Sequence, residues 1–60
     1  MPSDLERARA LIVEHRRTSV AFLKQQLMLS ENKIQRLLRE LEREGVISAV
    51  GPGGVRTILV

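Results

Sequence analysis

Sixty residues with no cysteine and a formal net charge of +3 describe one small domain with neither disulfide staples nor a thiolate zinc site. A chain this short buries only roughly 60% of the surface its unfolded form exposes, so its stability must come from one well-patterned core. No apolar run approaches the ~20 residues of a membrane span, and Met1-Pro2-Ser3-Asp4 lacks the basic-then-apolar order of a signal peptide; the expected setting is the cytoplasm, with no membrane contact.

Ser3 followed three positions later by Glu6 is a capping-box pattern, and Asp4 places a favourable charge in the first turn of the helix it opens. Leu5, Ala8, Leu11, Ile12 and His15 recur at helical spacing, and Arg16 and Arg17 suit a helix C-terminus. The spacing predicts a first helix over 4–16. Thr18 and Ser19 interrupt it and offer a new N-cap. Val20, Leu23 and Leu27 then mark a second helix over 20–28, with Phe22 at its edge and Met28 expected in the core or at its rim. Ser30 is another N-cap, with Glu31 in the turn that follows. Ile34, Leu37, Leu38 and Leu41 sit at i, i+3, i+4 and i+7, and Gly45 stands where a glycine ends a helix, which predicts a third helix over 31–44.

Beyond Gly45 the character changes. Val46-Ile47-Ser48-Ala49-Val50 and Val55-Arg56-Thr57-Ile58-Leu59-Val60 are rich in β-branched residues and flank Gly51-Pro52-Gly53-Gly54. Two such runs around a glycine-rich turn predict a C-terminal β-hairpin over 46–50 and 55–60, with Thr18-Ser19 available as a third short strand. Three helices followed by a hairpin give an α+β expectation for residues 1–60: a single winged helix-turn-helix domain. A plain three-helix bundle is the competing architecture.

The third helix carries the functional signal. At ~100° per residue its leucines and Ile34 share one side, while Asn32, Arg36, Arg39 and Arg43 lie within roughly 40° of the opposite pole. Arginine donates two hydrogen bonds to guanine O6 and N7, and asparagine pairs with adenine N6 and N7, so such a ridge suits the major groove. Residues near the N-terminus of a recognition helix reach deepest, which favours Asn32, Lys33 and Arg36 for bases. Gln35 and Arg39 complete the DNA-binding positions expected on this helix, and Arg43 is placed nearer phosphate. In the hairpin, Arg56 is the expected contact to phosphate or to the minor groove. Lys24 and Gln25 on the second helix suit backbone phosphates. The same charges also suit an ordinary solvated face laced with Arg–Glu pairs. His15 sits by a helix end, where a cation is favoured. No carboxylates cluster around it, and no nucleophile, base and orienting group can be assembled, so no catalytic residue, metal or cofactor is expected.

From about Ala10 to Leu59 the chain resembles the gamma domain of the FtsK/SpoIIIE DNA translocases. The resemblance rests on Arg17-Thr18-Ser19-Val20, Gln26-Leu27, Asn32-Lys33 with Arg36, Leu41-Glu42 and Gly45-Val46-Ile47-Ser48, and ends with Gly51, Gly54, Arg56 and Ile58-Leu59. It implies a winged helix that reads short G-rich polar sequences in double-stranded DNA and contacts a tyrosine recombinase. It also implies base-reading positions at Asn32, Lys33 and Arg36, with Arg56 in the wing. Arg39 departs from the family, which has an acid there, and Ser30-Glu31 replace a glycine and an aromatic residue. A carboxylate accepts from cytosine N4 whereas arginine prefers guanine, so a different preferred site is implied.

Within DNA binding, an orienting or site-recognition domain of a translocase competes with a small transcriptional regulator of a mobile element. A different class of function, a protein-interaction module docking a recombinase or partner subunit, is open to the same fold. A single module makes few phosphate contacts, so tandem or self-associated binding is expected.

Overall fold

The computed structural model describes residues 2–60, in which three helices are followed by an irregular C-terminal segment. Helix α1 spans Asp4–His15, α2 Val20–Leu27 and α3 Glu31–Arg43, with a single 3-10 turn at Pro52–Gly54. Each α-helix opens on a serine whose hydroxyl accepts a backbone N–H that would otherwise lack a partner. Ser3 accepts from Glu6 within a complete capping box, Ser19 accepts from Phe22, and Ser30 accepts from Lys33 at 3.3 Å.

The helix ends differ from the expected ones by one residue, and at α1 and α2 the reason is backbone handedness. Arg16 (φ 55°) and Met28 (φ 58°) turn into the left-handed region, so they cap α1 and α2 rather than extend them. At α3, Glu44 is the cap, and Gly45 takes the left-handed turn at φ 81°. The Gly45 N–H donates to the Glu42 carbonyl and the Val46 N–H to the Leu41 carbonyl, at 3.1 and 3.0 Å. These two bonds, with the buried Leu41 and Val46 side chains beside them, make a Schellman ending.

The core is the shared interior of the three helices. Ala8 and Ile12 come from α1, Leu23 and Leu27 from α2, and Ile34, Leu37, Leu38 and Leu41 from α3, while Val46 and Ile47 join them from the segment after Gly45. Helix α3 packs on both α1 and α2, which also touch each other. Phe22 is half-buried at the rim, but Met28 is 86% exposed and belongs to neither core nor rim.

The expected β-hairpin wing over 46–50 and 55–60 does not form. Among the described residues there is no strand, only an isolated antiparallel bridge between Ile47 and Ile58, so the domain is all-α rather than α+β and is not a winged helix. Nor does Thr18-Ser19 form a strand; Ser19 is occupied as the N-cap of α2. The hydrogen bonds explain why the ladder stops. Val46 and Ser48 pair with Leu59 and Thr57 through one N–H···O bond each, Leu59 to Val46 and Ser48 to Thr57, both 2.8 Å. An antiparallel ladder would next return the Thr57 N–H to the Ser48 carbonyl. Instead the Ser48 hydroxyl takes that N–H at 2.8 Å, and the Ser48 carbonyl accepts from the Arg56 guanidinium at 2.9 Å. Beyond that point Gly51 donates to the Val55 carbonyl at 2.8 Å, a register shifted by one residue from the Ile47–Ile58 bridge. β-branched composition favours extended backbone, but pairing needs free partners in register, and these are diverted.

Gly45→Ala tests the ending of α3. Open space surrounds a Cβ at this position, so the left-handed backbone alone sets the penalty. The expected loss is about 1–2 kcal/mol of unfolding free energy, read from urea denaturation followed by circular dichroism. A neutral result would show that the turn relaxes out of the left-handed region.

Candidate nucleic-acid interface

The side chains of interest lie on α3 because its register separates two faces. Burial of Ile34, Leu37, Leu38 and Leu41 fixes the rotation of the helix. Asn32, Arg36, Arg39 and Arg43, displaced by about half a turn, then face outward, and all four are exposed. Lys33 and Gln35 are exposed on either side of them. Gln35 also borders a groove lined by Ser19 at the start of α2 and by Val50, Gly54 and Val55 of the C-terminal segment. Thus six of the seven expected positions fall on one surface.

The ion pairs divide the charges of this surface unevenly. Lys24 of α2 reaches Glu31 at the start of α3 (3.8 Å), Arg43 pairs with Glu40 along α3 (3.4 Å), and Arg56 pairs with Glu42 (2.8 Å). Among the described residues, Lys33, Arg36 and Arg39 have no carboxylate within salt-bridge distance. Two acids of α3 are thereby matched to cations from outside the helix and one to Arg43 on it, and three cations at its N-terminal and central turns stay available. Pairs exposed at both members, as Lys24–Glu31 and Arg43–Glu40 are, stabilise a fold weakly, by ~0–1 kcal/mol, so their main effect here is on the shape of the potential.

Arg56, the seventh expected position, lines the same groove as Gln35 but is turned inward. Its side chain is only 9% exposed, and one guanidinium nitrogen donates both to Glu42 at 2.8 Å and to the Ser48 carbonyl at 2.9 Å. It ties the end of α3 to the C-terminal segment. The spacing of 14 residues between Arg56 and Glu42 carries no helical or strand signature, so sequence reasoning had no signal for this pair. The Lys24–Glu31 link escaped it in the same way.

His15 has a packing role. Its ring meets Phe22 edge-on with centroids 5.3 Å apart, and the Arg17 guanidinium lies 4.6 Å from the centre of the Phe22 ring. Arg16 is also engaged, donating to the Val60 carbonyl at 2.7 Å. Among the described residues no three His, Asp or Glu side chains gather to hold a metal ion, and no helix is long and apolar enough to cross a membrane.

Comparison with known proteins places these features in a family context. The sequence model of the FtsK gamma domain matches residues 3–60. The chain is also similar to DNA translocase FtsK from two strains of Helicobacter pylori, at 42% identity over 55 residues in each case. That alignment takes in 92% of this chain and 6% of the length of each relative.

Because Arg36 and Arg39 are exposed and unpaired, Arg36→Ala and Arg39→Ala should each leave unfolding free energy within about 0.5 kcal/mol of the wild type. A thermal or urea melt that moves by more than this would show that the ridge takes part in holding the fold.

Proposed function

We propose that this chain, which belongs to the FtsK gamma domain family, binds double-stranded DNA sequence-selectively by laying the outward face of α3 in the major groove. The observation that carries the reading is the ridge opposite the core, where Asn32, Arg36 and Arg39 project together and the cations at Lys33, Arg36 and Arg39 are not neutralised within the chain. A helix of 13 residues is ~20 Å long and ~10 Å across, and a major groove ~12 Å wide admits it.

In this docking Asn32, Lys33, Gln35 and Arg36 read base edges, because they lie in the first turns of α3. Arg39 follows one turn on, and Arg43, already paired with Glu40, meets phosphate. Two arginines on the reading face favour guanine, so the preferred site is G-rich. The relatives are named as DNA translocases, and in that setting a reader of short polar sites gives direction or address to movement along DNA. No β-hairpin wing forms among the described residues, so α3 and its immediate flanks carry the recognition in this proposal, and several copies side by side supply the affinity that one small module lacks.

Selection from a randomised duplex library with the purified chain tests the reading directly. A G-rich, non-palindromic motif is the expected outcome. An inverted repeat would point to a dimeric regulator instead, and no enrichment above background would put a protein partner, a recombinase or a second copy, in the place of DNA. On the selected site, Arg36→Ala should weaken binding by about 1–3 kcal/mol and relax the preference at one base pair. Equal affinity of the variant and the wild type across sites would overturn the docking of α3.

A further inference from the structure

We propose that Arg56 governs DNA affinity without touching DNA, by holding the Glu42 carboxylate that flanks the reading face of α3. This rests on the major-groove docking of α3 proposed above. The Arg56 side chain is 9% exposed, whereas that of Glu42 is 41% exposed. The guanidinium is therefore the inner member of the pair and the carboxylate the outer one. On the helical wheel Glu42 follows Gln35 within about 20° and stands about 60° from Arg39, so it lies along the edge of the ridge on the Gln35 side. An unpaired carboxylate there meets the phosphate wall of the groove and repels it. With Arg56 against it, the edge is neutral.

The same guanidinium nitrogen accounts for the seating of the C-terminal segment. It donates to the Ser48 carbonyl at 2.9 Å as well as to Glu42 at 2.8 Å, so the end of α3 and the two extended arms, one through Ser48 and one through Arg56 itself, are joined at one group. Arg56 is thus a positioning residue. It sets the charge of the α3 flank and the place of the segment that borders the Gln35 groove. A loose arm alone and an exposed carboxylate alone make different predictions for a double variant.

Affinity for a short G-rich duplex would be titrated over a range of potassium chloride concentrations for the wild type, R56Q, E42Q, R56Q/E42Q and R36A, with folding checked by circular dichroism at the same temperature. R56Q should bind roughly fivefold more weakly, by unmasking one negative charge near the phosphates. R56Q/E42Q should return to within about twofold of E42Q, with the salt slope of the wild type, because no phosphate contact has been lost. A slope lower by about 1 in R56Q, with no rescue by E42Q, would overturn the proposal and make Arg56 a phosphate contact. Folded R56Q and R56Q/E42Q that are equally weak would also overturn it, leaving only a tie for the loop. If R56Q does not fold, R56K keeps a cation beside Glu42 without the guanidinium; affinity within about threefold of the wild type supports masking, and a loss as large as that of R36A opposes it. Weakened binding by R36A shows that the α3 docking stands whatever the Arg56 series gives. No effect of R36A, or no binding by the wild type, overturns the docking and this proposal together.

Discussion

Everything in this domain follows from the rotation of α3 about its own axis. Four of its side chains, Ile34, Leu37, Leu38 and Leu41, are buried, more than either other helix contributes, and α1 and α2 both pack on that side. Leu-to-Ala changes at such sites cost ~2–5 kcal/mol each, in a domain whose total stability is of the order of a few kcal/mol. The helix has no freedom to turn another side inward. Its opposite face is therefore held toward solvent by the core rather than by any interaction of its own. Asn32, Arg36, Arg39 and Arg43 are presented by a rigid element that needs nothing from them.

That separation makes a mild overall charge compatible with a strong local one. A net charge of +3 spread evenly would produce little field. Here two acids of α3 are matched from outside the helix, Glu31 by Lys24 and Glu42 by Arg56, and Glu40 is matched by Arg43 on the helix itself. Each pair brings the net charge of its patch near zero, and the cations of α3 left without a carboxylate partner are Lys33, Arg36 and Arg39. Screening limits the reach of such a field to ~10 Å at moderate salt. The exposed cations thus act on groups that come into contact or nearly so, as a groove wall does in the proposed docking, and contribute little at longer range.

Local signals made most of the helical part legible. Ser3, Ser19 and Ser30 each cap as their positions suggest, and the i, i+3, i+4, i+7 spacing of Ile34, Leu37, Leu38 and Leu41 corresponds to the buried face of α3. The ends shift by one residue because Arg16 and Met28 take a left-handed conformation that L-residues adopt at a cost, and nothing in their type announces it. The ridge was readable because it follows from the same periodicity as the core. Arg56 was misplaced for the opposite reason. Its partners, Glu42 and Ser48, are remote in sequence, and the hairpin expected around it rested on composition alone.

The loss of the hairpin is itself an argument about how small domains spend polar groups. A regular ladder would pair Ser48 and Thr57 through both of their backbone bonds. In its place the Ser48 hydroxyl satisfies the Thr57 N–H, and the Arg56 guanidinium satisfies the Ser48 carbonyl while pairing with Glu42. Among the described residues no buried side-chain nitrogen or oxygen lacks a partner, so the irregular arrangement leaves no side-chain group desolvated without compensation. An isolated two-stranded hairpin is marginal in water, and with Val50 and Val55 more than half exposed this one would have had little to pack on. A charge-assisted bond anchored on α3 ties the same segment to the rigid helix instead, and hydrogen bonds to charged groups are worth more than neutral ones. The C-terminal segment is therefore held by its attachment to α3, and its position is set by the same helix that carries the ridge.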